Sequence, residues 1–171
     1  MLQPTTAVER TRTFSWADPS VFAAEAGGRS GLQLMRLVVA GELPPPPIAS
    51  MLGMELVEVD EGRAVFALEP AEWMYNPIGS VHGGIAATIL DSALGCAVHT
   101  ALAAGVAYTT LEIKVNFVRG MSAGTGRVIA EGTVLHAGGR IATAEARLIS
   151  EHDGKLLAHG TTTCIVLNGD R

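Results

Sequence analysis

The feature of this sequence that most constrains its fold is a long stretch with almost no charge. Between Trp73 and Leu111, only Asp91 is formally charged. Residues 83–103 within it are predicted as an Ala-rich helix whose polar side chains follow no consistent face. A helix that is apolar almost all round is buried, and a carboxylate at the centre of a bilayer span would be costly. We therefore expect a helix buried within protein and no membrane partner.

Short strand-like runs lie on both sides of this helix. Two apolar runs precede it, at 54–59 and 64–68, and the turn at 60–62 between them is typical of a hairpin. Four runs with a period of two residues follow it, at 106–118, 126–136, 140–150 and 155–167. Their regular spacing predicts an antiparallel meander. The predicted fold class is α+β, with one antiparallel sheet wrapped around one long central helix.

The N-terminal part of the chain has a different pattern. Residues 21–43 are predicted as a helical region interrupted near Gly27 and Gly28, after a leader that resembles a poorly ordered segment. Prolines at 44–47 stop the helix, because proline cannot continue one. Three parts are predicted: an N-terminal leader and helical extension at 1–43, a Pro-rich linker at 44–50, and the main domain at 51–168.

Composition and charge argue against several functions. The chain has 12 Lys and Arg against 17 Asp and Glu, a net charge of -5, and no basic run to follow a phosphate backbone, so nucleic acid is not an expected partner. The two cysteines lack a CxxC spacing and the N-terminus lacks a signal-like apolar region, which predicts a cytoplasmic protein. The histidines show no metal-ligand spacing, and there is no P-loop or dinucleotide motif, so neither a metal nor a cofactor is expected.

Asp91 is the unusual residue of the predicted helix. Its neighbours three and four positions away are Ala87, Thr88, Leu94 and Gly95, none of which can pair with a charge. An isolated carboxylate inside a protein is rare and costly. An inward-facing Asp91 would therefore need a partner from elsewhere in the fold. The alternative is that the helix reaches the surface at this residue.

A second polar motif lies where the helix is predicted to begin. The segment that starts at Asn76 leads into His82, Gly83 and Gly84. The first N–H groups of a helix have no partner within it, and two glycines leave them unobstructed at the positive end of the helix dipole. Such a site suits a carbonyl oxygen that becomes an oxyanion during acyl transfer. The alternative is structural, with Ser80 or His82 capping the helix and the glycines permitting close packing.

Both motifs, together with the run TTLEIKVNFVRG at 109–120, resemble the PaaI-type acyl-CoA thioesterases of the hotdog superfamily. The resemblance covers about residues 44–167 and implies the hotdog fold. It also implies a catalytic set of three polar residues, Asn76, His82 and Asp91. Asn76 would orient the water or the carbonyl, His82 would support the loop, and the Gly83 N–H would polarise the thioester carbonyl. Asp91 would act as general base or as nucleophile, and the sequence leaves both roles open.

The resemblance also implies residues that hold the reacting groups and the substrate. In similar enzymes a hydroxyl from the strand after the helix holds the nucleophilic water, and Thr110 matches that position. Strand alternation places the odd-numbered residues of this strand on the helix side, however, so Thr109 is an alternative. Gly84 would add a substrate contact, and Arg119 and Arg140 are candidates for contacts with the phosphates of coenzyme A.

The implied function is hydrolysis of an acyl-CoA to a free acid and CoA, which is part of the substrate. The acyl group would be aromatic, such as phenylacetyl, or a medium or long aliphatic chain. The alternatives are a hotdog acyl-CoA hydratase or dehydratase and a non-catalytic acyl-CoA-binding protein. Gly83 and Asp91 would lie about 12 Å apart along one helix, so they would serve one thioester from different chains. We therefore expect a homodimer with shared active sites, and a homotetramer built from such dimers.

Overall fold

One antiparallel sheet and one long helix organise the structure, a computed structural model that describes residues 8–168. The helices are α1 (Ser20–Ala26), α2 (Gly31–Val39), α3 (Pro47–Leu52) and α4 (Gly83–Thr100). The strands are β1 (Glu55–Asp60), β2 (Arg63–Leu68), β3 (Val106–Phe117), β4 (Val128–Ala137), β5 (Ile141–Ser150) and β6 (Leu156–Asn168). These strands form one six-stranded sheet in the order β1-β2-β4-β5-β6-β3, and all pairings are antiparallel.

The helix α4 lies at the centre of the core, as its apolar sequence predicts. The buried side chains that α4 contributes to the largest core cluster are Ala86, Ile89, Leu90, Ala93, Leu94, Ala97 and Val98. The sheet contributes buried residues from several strands, among them Phe66, Val128, Ala144 and Leu148. Many of the sheet residues in this cluster are alanines, and small side chains let the strands approach the helix closely. The predicted hotdog arrangement, a sheet wrapped around a central helix, is confirmed.

The order of the strands differs from the predicted meander in one respect. Strands β4, β5 and β6 are successive neighbours, but β3 pairs with β6 at one edge of the sheet and does not pair with β4. Regular spacing of apolar runs identifies strands but not their partners, because consecutive strands are neighbours in most sheets but not in all. The meander prediction is therefore wrong for β3, and this long strand lies at an edge of the sheet.

The N-terminal extension is folded and docked on α4. Ser30 and Gln33 cap α2 reciprocally, each side chain accepting the backbone N–H of the other residue. A Cβ at Gly31 would overlap the backbone carbonyl of His99, so glycine permits the close approach of α2 to the last turn of α4. The break between α1 and α2 falls at the predicted glycines.

A short helix begins within the predicted Pro-rich linker. Pro47 is the first residue of helix α3, a position where a backbone N–H would have no partner within the helix. Gly53 ends this helix with a φ of 73°, which favours glycine. Residues 47–50, the last part of the predicted linker, are therefore helical. The boundaries of the three parts as domains stay a prediction.

The described part of the leader makes specific contacts, although the sequence predicts a poorly ordered segment. Its residues 8–19 form neither helix nor strand. The Arg10 guanidinium forms an ion pair with Glu72 at 2.8 Å. Arg12 donates to the backbone carbonyl of Met51, and its guanidinium carbon lies 3.9 Å from the centre of the Trp73 ring. The leader is therefore held against the loop that precedes α4, while residues 1–7 lie outside the described part of the chain.

The close contact between α4 and the sheet at Gly132 gives a test of the fold. A Cβ at this position in β4 would overlap the backbone carbonyl of Ala93 in α4. We expect Gly132→Ala to lower the free energy of unfolding by about 1–3 kcal/mol, the usual cost of overpacking a core. Urea denaturation would measure the change. Gly27→Ala is the matched control, because a Cβ there has nothing within 4 Å, and equal losses in the two variants would contradict the close contact.

Candidate active site

The loop before α4 is organised by the side chain of Asn76. Its Oδ1 accepts the backbone N–H groups of Ile78 at 3.1 Å and Ser80 at 3.2 Å, while its Nδ2 donates to the Ser80 hydroxyl at 3.1 Å. Gly79, with a φ of 81°, allows the tight turn between them. Asn76 therefore fixes the turn that leads into α4. In the single chain its amide oxygen is directed into its own loop.

His82 caps the N-terminus of α4. Its Nδ1 accepts the Gly84 N–H at 2.9 Å, so the proton of a neutral imidazole is on Nε2. The His82 backbone N–H donates to the carbonyl of Met74 at 2.8 Å, which anchors the cap to the preceding turn. His82 is thus the helix cap, which is the structural role that the sequence also allowed. Because the Gly84 N–H is already bonded, Gly83 is the better placed of the two glycines to meet a carbonyl oxygen.

Gly83 lines a cavity of about 250 Å³ at the start of α4. Its walls include Val81, Ala86, Phe117, Arg119, Met121 and Leu148. A Cβ at Gly83 would lie 3.2 Å from the Phe117 ring, so this ring sits directly over the helix terminus. The guanidinium of Arg119 donates to the carbonyl of Leu156 at 2.7 Å, which holds a positive charge at the rim. This cavity combines the positive end of a helix dipole with a cation.

Asp91 is exposed in the single chain, which corrects the expectation of an inward-facing carboxylate. The helix reaches the surface at this residue, although its neighbours Leu90 and Ala93 are fully buried. The Thr110 hydroxyl donates to Asp91 Oδ1 at 3.3 Å across the gap between α4 and β3. The carboxylate that the sequence isolates therefore has a partner from the next strand.

The choice between Thr109 and Thr110 depends on a bulge in β3. The pairing of β3 with β6 shifts register between Thr110 and Glu112, so Leu111 interrupts the alternation. Thr110 is half-buried and contacts Asp91, whereas Thr109 is exposed. The alternation of the apolar residues after Leu111, extended towards the start of the strand, places Thr109 on the helix side. This inference is wrong, because the bulge adds one residue and reverses the alternation before it. Thr110 is the hydroxyl that meets the carboxylate.

A second and larger cavity, of about 830 Å³, lies beside Asp91 and Thr110. Its floor is formed by Gly95, Cys96, His99 and Tyr108, and part of its wall comes from the N-terminal extension. Burial raises the pKa of the Cys96 thiol to about 12, with a further contribution from the charge of Asp91. Burial also lowers the pKa of His99 and raises the pKa of Tyr108 well above its ordinary value. All three floor side chains are therefore uncharged at neutral pH.

The two cavities are separate within one chain. They share no lining residue. Gly83 and Asp91 both lie on α4, and eight residues of helix separate them by about 12 Å along the axis. A helix terminus and a carboxylate that act on the same carbonyl must each lie within about 3 Å of the reacting group. The described chain does not bring these two groups to one point.

The remaining predicted site residues differ in position. Arg119 lies at the cavity of Gly83, as described above. Arg140 is exposed just before β5, and it lines neither of the two cavities described above. Phe117 and Tyr108 were not predicted as site residues, because an aromatic residue within a strand gives no signal that separates a core role from a site role.

Within residues 8–168, no group of three or more His, Cys, Asp and Glu is placed to hold a metal ion. No helix in the same range is long and apolar enough to cross a membrane.

Comparisons with known proteins give the class of enzyme. The sequence model of the thioesterase superfamily matches residues 78–157, which contain Gly83, Asp91 and Thr110. A candidate esterase of Halobacterium salinarum is 32% identical over 111 residues, which cover 62% of this chain and 72% of that protein. A 1,4-dihydroxy-2-naphthoyl-CoA hydrolase of Listeria monocytogenes is 29% identical over 115 residues, or 67% of this chain and 91% of the relative.

A solved structure agrees with these relatives. A variant of the phenylacetic acid degradation protein PaaI of Thermus thermophilus superposes with a TM-score of 0.65 at 30% identity. The match covers 71% of this chain and 100% of that one. Fold, site and relatives together define a hotdog-fold enzyme that hydrolyses thioester bonds. The chain belongs to the thioesterase superfamily.

The contact between Thr110 and Asp91 can be tested against its neighbour. We expect Thr110→Val to lower thioester turnover by at least about tenfold, the scale of one hydrogen bond to a charged group. Thr109→Val is the matched control, because Thr109 is exposed and one position away. Steady-state release of free thiol would measure both variants. Equal effects of the two substitutions would contradict the role of the bulge in selecting Thr110.

Proposed function

We propose that this protein hydrolyses an acyl-CoA to a free acid and CoA, without a metal or redox cofactor. The main support for this proposal is the position of the Asp91 carboxylate. It accepts a hydrogen bond from the Thr110 hydroxyl at 3.3 Å and faces an apolar cavity large enough for an acyl group. The helix terminus at Gly83 supplies the complementary group, an N–H at the positive end of a dipole. A carboxylate and an oxyanion site are the parts that thioester hydrolysis requires.

The reaction follows from the chemistry of these groups. The Gly83 N–H accommodates the negative charge that develops on the carbonyl oxygen when the carbon is attacked. In one route Asp91 takes a proton from water, the oxygen of that water adds to the carbonyl carbon, and the C–S bond breaks. The departing thiolate then recovers the proton from Asp91. In the other route the Asp91 carboxylate attacks the carbon directly, and the C–S bond breaks to release the CoA thiolate and leave a mixed anhydride. Water then hydrolyses the anhydride, which regenerates Asp91 and frees the acid, and the thiolate takes a proton released in that step. Thr110 orients the carboxylate in both.

We propose that each active site combines two chains, because one chain holds Gly83 and Asp91 in separate cavities. Strand β3 is suited to a subunit interface, since it lies at an edge of the sheet. Its exposed apolar side chains include Leu111 and Phe117. Exposed apolar edge strands are normally covered. A two-fold dimer through β3 would place Gly83 of one subunit near Asp91 of the other, and two such sites follow from the symmetry. A tetramer would be a pair of these dimers.

Coenzyme A and the cell compartment add two further expectations. The positive charge of Arg119 lies at the cavity of Gly83, which supports a contact with the phosphates of coenzyme A. Arg140 lines neither cavity, so it would contact these phosphates only from the surface of a dimer. Both cysteines are free thiols, which agrees with a cytoplasmic protein.

The role of Asp91 is tested by removing its charge while keeping its shape. Asp91→Asn is expected to lower turnover at least about a hundredfold, the usual scale for loss of a general base, while an uncleavable acyl-CoA analogue still binds. Glu55→Gln is the matched control, since Glu55 is a second carboxylate at the same cavity. Thiol release and calorimetric binding would be compared for both variants. Turnover close to wild type in Asp91→Asn would falsify the assignment and favour a protein that only binds acyl-CoA.

The shared site is tested by mixing two inactive chains. Asn76→Ala removes the hydrogen bonds that fix the turn before Gly83, and Asp91→Asn removes the carboxylate. Refolding an equal mixture should restore about a quarter of wild-type activity, because half of the dimers are mixed and one of their two sites has both native residues. A mass tag would confirm the mixed dimers. Mixed dimers that stay as inactive as their parents would show that both groups act within one chain.

A further inference from the structure

The cavity beside Asp91 is built partly by the N-terminal extension. Helix α1 contributes Phe22, and helix α2 contributes Met35 and Val38. The proline segment and the start of α3 contribute Pro46 and Ile48. The apolar space next to the carboxylate is therefore enclosed between α4 on one side and the extension on the other.

The cavity follows α4 away from the carboxylate. Asp91, Gly95 and His99 are four residues apart and lie on one face of the helix, and all three line the cavity. They span about 12 Å along the helix axis. Gly95 lets the Tyr108 side chain pack directly against this face of α4, because a Cβ there would lie 2.7 Å from the Tyr108 hydroxyl. The wall that α4 gives the cavity therefore runs about 12 Å along the helix axis, from the carboxylate to His99.

The chemistry of this path suits an uncharged chain. Cys96, His99 and Tyr108 are all uncharged at neutral pH, as argued above from their burial. The extension lines the path with Phe, Met, Val, Pro and Ile side chains. The two carboxylates at the cavity, Asp91 and Glu55, are both exposed and lie towards solvent. Apolar walls of this kind favour burial of methylene groups, since each methylene removed from water stabilises the bound complex.

The extension is a fixed wall because it has its own core. Leu34, Met35 and Leu43 are buried in a second cluster that includes Cys96 of α4 and Leu56 of β1. The N–H of Gly31 donates to the carbonyl of Leu102 at 3.2 Å, which joins α2 to the residues just after α4. The PaaI structure of Thermus thermophilus is matched over its full length by 71% of this chain. This chain therefore has residues beyond those that the compared fold requires.

Resting on the proposed function, we infer that the N-terminal extension forms the wall of the acyl pocket and that the substrates are CoA thioesters of unbranched aliphatic acids. A C–C bond of about 1.5 Å advances an extended chain by roughly 1.3 Å, so a path of about 12 Å holds roughly nine carbons. A single aromatic ring would leave most of this path empty. The preferred acyl chains have about eight carbons or more.

The first measurement is the acyl preference of the unmodified protein. We expect kcat/KM to rise at least tenfold from butyryl-CoA to dodecanoyl-CoA, because further methylenes are buried until the path of roughly nine carbons is filled. We expect it to be lower for phenylacetyl-CoA than for dodecanoyl-CoA. All thioesters are used below their micelle concentrations. A preference for phenylacetyl-CoA over every aliphatic chain would overturn the inference while leaving the proposed function intact. Failure to cleave any thioester would count against the proposed function itself.

The second measurement tests whether the extension sets this preference. Val38→Trp fills the cavity from α2, and the ratio of kcat/KM for dodecanoyl-CoA to that for butyryl-CoA should fall at least tenfold. The ratio is independent of the fraction of protein that is correctly folded. Arg36→Trp is the matched control, because Arg36 is exposed on the same helix and is not among the residues that line the cavity. Deletion through Ser20 is a second control that keeps Phe22 and all later lining residues, so its ratio should stay unchanged.

If Val38→Trp does not fold, Val39→Trp takes its place, since Val39 also lines the cavity and is 41% exposed. The inference is supported when the Trp variant of a lining residue lowers the ratio and Arg36→Trp does not. An unchanged ratio in the folded lining variant, or an equal fall in Arg36→Trp, would overturn it.

Discussion

The burial of α4 is the constraint on which the rest of the structure depends. An 18-residue helix that is apolar on nearly all sides must be covered by other parts of the chain, and the curved sheet provides most of that cover. The close contact at Gly132 shows how near the two layers approach. The side of α4 that the sheet leaves open is partly covered by α2. The extension and the main domain therefore both shield α4 from water.

The same helix also distributes the chemistry. Its N-terminus offers a polarising N–H at Gly83, and its surface-exposed turn offers the carboxylate of Asp91. A rigid helix holds these groups about 12 Å apart, so neither can be moved to the other by a local rearrangement. Each group instead borders its own cavity, and the edge strand β3 lies where a second chain can pair. In the proposed dimer, assembly brings together the helix terminus and the carboxylate that a single chain holds apart.

Much of the fold follows from sequence patterns because burial and turn chemistry are local signals. The ends of the helix and the strands lie within a few residues of the predicted positions, and the helix cap occurs at the predicted motif. Four features were not predictable in this way. The pairing of β3 depends on the whole sheet, the bulge at Leu111 reverses strand alternation, and the exposure of Asp91 depends on where the sheet stops covering α4. The walls of the larger cavity come from segments distant in sequence, which no local pattern reveals.

The most direct test of the shared site is a crystal structure of the protein with an acyl-CoA analogue in which a thioether replaces the thioester linkage and the carbonyl is kept one carbon away. We predict a dimer in which the Gly83 N–H of one subunit lies within about 3 Å of the analogue carbonyl oxygen. The carboxylate on the other side of that carbonyl would be the partner subunit's Asp91. A structure in which Gly83 and Asp91 of a single chain contact the same carbonyl group, or in which the protein binds the analogue as a monomer, would show that the active site is not shared between subunits.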